Sequence, residues 1–547
     1  MIQTPNTKHQ APDKHPASNA NSQTPWRARN LVWSLRFGAY LVFGAWSLVF
    51  PARAHIGDQN VFFEGQAGPY PVRVVIRAPG VIPGLAEISV RVQTNGVQRV
   101  TVLPMRWNTG RQGAPPPDDA APVRGETNLF SGELWFMRDG AQSVEVAVLG
   151  AAGRGTVIVP VNAVATRVLG MSQGLSQMLA FLGLLLVALA ISIAGAAVRE
   201  SVLPAGVTIP SKRRWLARST VVSAALIISV LLWLGQRWWN AEANDFRNNR
   251  LFQPLEARAR LQIKDGERRL RIERTTDRTR NTPLVPEHGK LMHLFLVREP
   301  GMEAFAHLHP TRLDWKTFET PIPELPEGEY RIYADVTYET GFSDTLIASI
   351  FLPAPTTSVA AVSRTFDVDD AWRAAHSFAR HSESTDQTNA ITSDFSMEFN
   401  ADGRLVENRD AQLRFVVRDA EKNVVALESY MGMGGHLILR REDGAVFTHL
   451  HPSGSYSMAA QQLFELRAEG KAPLRTGPRT GEPICRLPAL PGDRLVQQQI
   501  SFPYAFPKAG AYRLWAQVKV NGKILTGVFD VNVAPAKANR YASAATR

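Results

Sequence analysis

The sequence predicts a mainly β protein with three extracytoplasmic β-sandwich domains and a two-helix transmembrane hairpin. Three observations support this fold class: short Val/Ile-rich runs separated by Pro and Gly, two long apolar runs without charge, and a histidine motif that occurs twice. Short period-two runs separated by turn residues are typical of β-sandwiches, because one face of each strand must be buried. Charge-free apolar runs of about 20 residues are typical of membrane-spanning helices.

Composition limits the classes of function that need to be considered. The 547 residues exceed what one hydrophobic core usually supports, so several domains are expected. With 45% hydrophobic and 20% charged residues, the chain is neither wholly disordered nor a transporter made mostly of lipid-facing helix. Its one cysteine excludes an internal disulfide, a Cys-rich zinc module and an iron–sulfur cluster held by this chain alone.

The N-terminal segment, residues 1–54, has the pattern of an export signal. A polar, mildly basic tail precedes a short apolar run at 37–50, and Ala52-Arg53-Ala54 then offers an A-x-A cleavage site. Cleavage there would make His55 the first mature residue. An uncleaved membrane anchor is the alternative, and both leave residue 55 on the outer side of the membrane.

The apolar runs at 175–198 and 219–236 predict the two transmembrane helices. The connecting loop, 199–218, carries five basic residues against the single acidic Glu200, so the positive-inside rule predicts that it is cytoplasmic. Neither run contains an ionisable side chain, whereas ion and proton paths usually need one. We therefore expect the bilayer to anchor this chain, and we expect no nucleic acid partner because most of the chain lies outside the cell.

The extracytoplasmic residues divide into a β-sandwich at 55–168 and two further β-sandwiches at 250–356 and 391–535. A polar linker is expected at 357–390 and a tail at 536–547. The last two sandwiches are predicted to be copies of one unit, because each contains an apolar strand, a turn, a HLHP sequence and a closing G-x-Y-R strand.

Hairpin geometry predicts that three histidines converge in each copy. In the second copy Asp443-Gly444 is a strong two-residue turn signal, and a hairpin centred there places His436 opposite His451. His449 lies two residues from His451 and shares its face. The first copy has one more turn residue, which a bulge can absorb. The predicted metal ligands are one set per copy: His293, His307 and His309, and His436, His449 and His451.

Three imidazoles suit copper, zinc, nickel or iron, so the neighbouring residues are needed to choose the metal. Met431 and Met433 precede His436, and His288 occupies the position of Met431 in the first copy. Thioether beside imidazole favours copper, especially Cu(I), over harder ions. The predicted cofactor is therefore copper, as Cu(I) or Cu(II), with zinc as the alternative. His288, Met431, Met433 and the N-terminal His55 are therefore further candidate ligands.

The motifs MHLFLV…FAHLHP and GHLILR…FTHLHP, each followed by a G-x-Y-R strand, resemble the YtkA-like and CopC-like immunoglobulin-type copper-binding modules of bacterial envelope proteins. The resemblance covers about 290 of the 547 residues. It implies immunoglobulin-like sandwiches, copper binding, and a place in the cytoplasmic (inner) membrane of a bacterium with most of the chain in the periplasm. The CopC-like site relies on an N-terminal histidine, a part that only His55 could play, in a different domain.

Three hypotheses of function follow. The first is a membrane-anchored protein that binds copper at exposed histidine patches, for copper handling or delivery to an extracytoplasmic copper-receiving partner, without catalysis of its own. The second is a cupin-like metal-dependent enzyme, because Gly444 and the following HLH are similar to a cupin first motif, although no Glu follows at the required distance. The third is a non-metal envelope scaffold of tandem β-sandwiches, in which the motif histidines tolerate substitution.

Overall fold

The structure is a computed structural model that describes residues 55–56, 60–201, 203–204, 206–264, 267–275, 282–354, 366–374, 378, 384–472 and 497–536. The predicted signal or anchor segment at 1–54 lies outside the described residues, as does the predicted tail beyond residue 536. Strands dominate the described chain, which confirms the mainly β prediction, at 48% strand and 19% helix.

The first domain is a single antiparallel sheet of eight strands that folds over one core. The order of strands across the sheet is β2-β3-β4-β7-β6-β5-β8-β9. Alternate residues of β4 are buried, as the period-two pattern predicts. The strands are β2 Asn60–Ala67, β3 Tyr70–Arg77, β4 Gly84–Val92, β5 Val97–Arg106, β6 Asp118–Pro122, β7 Leu129–Phe136, β8 Gly140–Gly150 and β9 Gly153–Ala163.

Two long helices follow this domain. Helix α1, Gln173–Glu200, begins at Ser172, whose hydroxyl accepts a hydrogen bond from Leu175 N. Helix α2, Ser211–Asp245, continues as a π-helical turn, Phe246–Arg250. Both helices are long and apolar enough to cross a membrane, and they include the predicted spans at 175–198 and 219–236.

The first module, residues 257–352, consists of two sheets that share one core. One sheet has the order β10-β11-β16-β15 and the other has the order β12-β17-β13-β14-β19, with β18 paired to β17. The strands are β10 Ala257–Lys264, β11 Glu267–Arg274, β12 Leu284–Val285, β13 His293–Arg298, β14 Ala304–Leu308, β15 Thr311–Arg312, β16 Thr317–Pro321, β17 Gly328–Tyr338 and β18 Ser343–Leu352. Strand β19, Ala371–Ala374, lies in the segment predicted as linker and extends the second sheet.

The second module, residues 386–533, repeats this arrangement. One sheet has the order β20-β21-β22-β25 and the other the order β24-β23-β26-β27, with the short strand β1 (His55–Ile56) parallel to β24 at its edge. The strands are β20 Asp386–Ala390, β21 Phe395–Ala401, β22 Asp410–Asp419, β23 His436–Arg441, β24 Val446–Leu450, β25 Ile500–Ala505, β26 Gly510–Val520 and β27 Lys523–Val533. Helix α3, Met458–Ala468, follows the second HLHP sequence.

The two modules are structural duplicates down to their turns. The turn before β13 has positive φ at His288 (51°) and Gly289 (82°), and the turn before β23 has the same values within 2° at Met431 (50°) and Gly432 (84°). The hairpin registers also agree, because β13 pairs Leu294 with Leu308 and β23 pairs Leu437 with Leu450. The register predicted from the Asp443-Gly444 turn is therefore confirmed.

The two duplicated sheets pack face to face, which brings the histidine motifs together. Strand β13 sends Leu294 and Leu296 into the core of its own module, whereas Phe295 and Val297 enter an apolar cluster between the modules. Strand β23 places Ile438 in the same intermodule cluster. Both faces of each strand are buried, as is typical of uninterrupted apolar runs.

Candidate metal centre

Seven histidines of the described residues form one cluster at the intermodule face, which we call the histidine cluster. Their ring centroids are linked by distances of 4.6–6.3 Å. The members are His288, His293, His307, His309, His436, His449 and His451. All six histidines that the sequence predicts as ligands are present, together with the further candidate His288.

The cluster contains two triads whose ligand atoms lie within 4.8 Å of one another. Site A consists of His293, His307 and His309, which is the set predicted for the first module. Site B differs from its prediction, because it combines His288 of the first module with His436 and His451 of the second. His449, predicted for the second set, lies between the sites, with ring centroids 5.1 Å from His436 and 5.3 Å from His293.

The histidine cluster is buried, in contrast to the exposed patches that the sequence analysis predicted. No imidazole of the cluster is more than 5% exposed. Burial disfavours the charged imidazolium form and therefore lowers the pKa of every member, that of His288 to about 3. The rings are consequently neutral at pH 7, with one lone pair each available to a metal.

Three imidazoles have a hydrogen-bonding oxygen at one ring nitrogen, and a fourth, His449, has a carboxylate oxygen nearby. His309 Nδ1 is 3.0 Å from Asp370 Oδ1, and His449 Nδ1 is 3.4 Å from Asp335 Oδ2. His307 Nδ1 is 2.8 Å from Gln517 Oε1, and His293 Nε2 is 3.2 Å from the backbone oxygen of Glu287. In the three hydrogen bonds the oxygen accepts the ring proton on its own side, so the opposite nitrogen of the neutral ring carries no proton, the arrangement that orients metal-bound histidine.

Two of these unprotonated nitrogens face each other. His293 Nδ1 and His307 Nε2 are 3.1 Å apart. Gln517 Nε2 donates to Thr526 Oγ1, which leaves its Oε1 as the acceptor for His307 Nδ1. The contact therefore joins two lone pairs, and a proton or a cation between them is needed to make it favourable.

Other ring nitrogens of the cluster have no hydrogen-bond partner within the described part of the chain. His436 lacks a partner at both nitrogens, although a neutral imidazole always carries one N–H donor. Buried polar atoms are rarely left unsatisfied, because each costs about 1–3 kcal/mol. The remaining atoms of this kind are His288 Nδ1, His309 Nε2, His449 Nε2 and His451 Nδ1.

Carboxylates surround the cluster on the side of the first module. Burial raises the pKa of Asp335 to about 6 and that of Asp370 to about 7. Glu287 Oε1 is 3.3 Å from His288 Nε2, and the same carboxylate accepts bonds from Met458 N and Ser457 Oγ at the start of α3. Asp367 and Asp370 form a third group with His309, in which Asp367 also pairs with Lys290.

The remaining predicted candidates occupy defined places outside the two triads. Met433 is buried and Met431 partly buried, in the turn equivalent to that of His288. The backbone of His55 lies beside Val446 on β24, three residues before His449, which corresponds to about 10 Å along a strand. The side chain of His55 lies outside what the structure describes.

Sequence reasoning missed the orienting residues Asp335, Asp370 and Gln517. Two of them were detectable, because Asp335 and Gln517 occupy the same position of the G-x-Y-R closing strands, directly opposite His293 and His436. A polar residue there interrupts an apolar strand in both copies. Asp370 belongs to the segment predicted as linker, and no sequence signal connects it to His309.

A family model described as "Domain of unknown function (DUF8832)" matches residues 256–346 and 390–535, which contain the whole histidine cluster and most of both modules. No curated protein matches the chain. Among solved structures, the chain is similar to a tetra-tandem repeat from the extending region of a large adhesion protein, at 9% identity, with 83% of this chain and 72% of that chain covered and a TM-score of 0.14.

Two other structures align equally weakly. The native conformation of E. coli α2-macroglobulin aligns at 8% identity and a TM-score of 0.18, covering 86% of this chain, which spans 23% of that protein. A membrane-anchored protein from Corynebacterium diphtheriae aligns at 8% identity and a TM-score of 0.13, covering 88% of this chain and 96% of that chain. At these scores none of the three structures supports an argument about fold or function. The resemblance that rests on matched sequence is therefore the one to the DUF8832 family model, confined to the two modules.

Proposed function

We propose that this protein is a membrane-anchored, extracytoplasmic copper-binding protein whose two modules hold the metal in the buried histidine cluster between them. The contact between His293 Nδ1 and His307 Nε2 carries this proposal. Each nitrogen is left without a proton by an oxygen acceptor on the far side of its ring, so the pair is repulsive until a cation lies between them. Structural histidines of a core usually donate to one acceptor and accept from one donor, and these two do not.

The charge around the cluster suits bound cations. Three carboxylates, those of Glu287, Asp335 and Asp370, each contact a different imidazole of the cluster. A copper ion beside these carboxylates would favour their ionised forms, because buried charges are tolerated when they are paired.

Copper is proposed over zinc from the donor set and the compartment. Imidazole accommodates both metals, and three imidazoles per ion are common to both. Met431 and Met433 add thioethers in the turn that leads into site B, and thioether favours Cu(I). An oxidising compartment also suits a site built without a thiolate, and the single cysteine of the chain, Cys485, lies outside the described residues.

Burial favours retention of the metal over rapid transfer. A copper ion held by imidazoles that are at most 5% exposed has no direct route to a partner's ligands. Delivery to an extracytoplasmic copper-receiving partner would therefore require the modules to separate, and copper handling by storage or tight binding is the function proposed first. The helices α1 and α2 would anchor the modules, immunoglobulin-like in our interpretation, to the periplasmic side of a bacterial inner membrane.

A cupin-like enzyme has less support. A cupin first motif needs a Glu shortly after its HxH sequence. Here the HLH sequence is followed by Pro-Ser-Gly-Ser-Tyr at 452–456, which contains no acidic residue. That segment pairs with strand β2 of the first domain, through Glu64 N to Ser453 O at 2.7 Å and Ser455 N to Phe62 O at 3.0 Å. It supplies no carboxylate to the histidines.

The test is copper titration of the full chain, purified in detergent and stripped with a chelator. We expect tight binding of copper in preference to zinc, and a marked loss of copper affinity in His307→Ala. Tyr330→Phe is the matched control, since it removes a buried hydroxyl from the same module on the side of its own core, where Tyr330 donates to Pro326 O at 2.8 Å. A folded chain that stays free of copper throughout the titration would contradict the proposal and leave the non-metal scaffold.

A further inference from the structure

We infer that the histidine cluster is a dinuclear centre, in which site A and site B each hold one copper ion and the two ions lie close enough to interact. This inference rests on the proposed function and specifies the nuclearity of the same site. It departs from the two separate patches that hairpin geometry alone predicts, because both sites lie in one cluster at the intermodule face and site B takes ligands from both modules.

Each site has the ligands for one ion. Site A offers His293 Nδ1 and His307 Nε2, which are 3.1 Å apart, together with the unpartnered Nε2 of His309. Site B offers His288 and His451, whose Nε2 atoms are 3.2 Å apart, together with His436, which lacks a partner at either nitrogen. The two triads share no residue, so filling one does not use the ligands of the other.

Imidazole rings of site A and site B lie next to each other. The ring of His293 in site A is 6.3 Å from that of His436 and 6.1 Å from that of His288, both in site B. Two-metal centres typically place their ions about 3.5–4 Å apart. Because rings of the two sites are neighbours in one cluster, we expect the two ions to lie near enough for their unpaired spins to interact.

His449 is available to both ions. Its Nδ1 faces Asp335, whereas its Nε2 has no hydrogen-bond partner among the described residues. The ring is 4.7 Å from His451 of site B and 5.3 Å from His293 of site A. We assign it as the seventh ligand, which completes the shell of whichever ion lacks a fourth donor.

The two sites differ in how firmly their ligands are held. All three imidazoles of site A have an oxygen acceptor, from Glu287, Gln517 or Asp370. In site B the Glu287 carboxylate contacts Nε2 of His288, the nitrogen offered to copper, and the opposite nitrogen has no partner in the described structure. His436 and His451 have no oxygen acceptor among the described residues. Loss of such partners typically costs 10–100-fold in metal affinity, so site A should fill first and site B should bind on the order of 10–100-fold more weakly.

Copper titration of the full chain in detergent, followed by electron paramagnetic resonance of the Cu(II) form, tests the inference. We expect an endpoint of two copper ions per chain, one for each triad. The first equivalent should give an ordinary mononuclear spectrum. The second should lower the integrated signal per copper or produce a half-field transition, because the two spins then interact.

Variants that each lose one ligand test the two sites separately. His451→Ala should bind a single copper and keep the full mononuclear signal, since site A is intact. His309→Ala should also bind a single copper, at the lower affinity of site B. Circular dichroism of each variant establishes that it has folded, and the spin count of the unmodified chain decides the question without either variant.

Three outcomes separate this inference from the proposed function. Failure to bind any copper overturns both. An endpoint of one copper per chain overturns the dinuclear centre and leaves the proposed function. Two copper ions with full, independent mononuclear signals and no half-field transition also overturn it, because the ions would then be two separate sites.

Discussion

The first and second modules have the same backbone but different polar surroundings at their histidines. Equivalent closing-strand residues make reciprocal contacts across the interface: Asp335 of the first module reaches His449 of the second, and Gln517 of the second reaches His307 of the first. The aromatic contacts are reciprocal as well: Tyr333 of the first module stacks on Phe447 of the second, and Trp515 of the second module stacks on Phe305 of the first.

The differences between the copies concentrate at the histidine cluster. Where the first module has Glu287 and His288, the second has Tyr430 and Met431, at turns with the same backbone angles. Asp370 holds His309, while the equivalent His451 has no carboxylate partner among the described residues. Duplication thus supplied two similar scaffolds, and divergence at a few positions made two unequal sites out of one symmetric arrangement.

The largest expected effect comes from removing one histidine of each copy. The double variant His309→Ala/His451→Ala takes one ligand from each triad, so we expect it to bind no copper tightly. Metal analysis after gel filtration measures this directly. Unchanged copper content in the double variant would show that the triads are not the binding sites.

The second largest effect is expected at Trp515, which occupies the position in the second module that Tyr333 occupies in the first. Trp515→Ala removes a ring that is 1% exposed and stacks on Phe305 at 4.8 Å, so we expect a loss of about 3–5 kcal/mol in the free energy of unfolding. Chemical denaturation of the metal-free chain measures it. A loss below about 1 kcal/mol would mean that the intermodule face is not packed as described.

The third effect tests the unequal support of the two sites. Asp370→Asn weakens the orientation of His309, so copper affinity should fall about 10–100-fold at site A and remain unchanged at site B. Titration should then show two sites of similar affinity in place of two distinct ones. An equal loss at both sites would contradict the assignment of Asp370 to site A alone.

The smallest effect is expected for Tyr333→Phe, which keeps the ring stacked on Phe447 and removes only the hydroxyl. Arg440 Nε donates to that hydroxyl at 2.9 Å, and Arg440 keeps its ion pair with Glu299. We expect a loss of about 1.5 kcal/mol in the free energy of unfolding, measured by the same denaturation, and no change in copper content. The Tyr333–Phe447 stack lies outside both triads, so a change in copper content would contradict the assignment of the metal sites.

The fold was largely predictable from local patterns, and the division of ligands between the sites was not. Turn chemistry at Asp443-Gly444 determines the hairpin register, and alternation along β24 then determines that His449 and His451 share a face. Which surface that face meets depends on the packing of whole sheets, so the pairing of His288 with His436 and His451 has no local signature. The uninterrupted apolar runs 294–297 and 437–439 were the available sign that both faces are buried.

X-ray absorption at the copper edge of the copper-loaded full chain tests most directly whether the histidine cluster is a metal centre. We expect about three imidazole nitrogens per copper, at about 2.0 Å, the usual distance for a metal–imidazole bond. The imidazole scattering should disappear in His309→Ala/His451→Ala. A shell of oxygen atoms without imidazole scattering in the unmodified chain would show that the histidine cluster does not bind the copper.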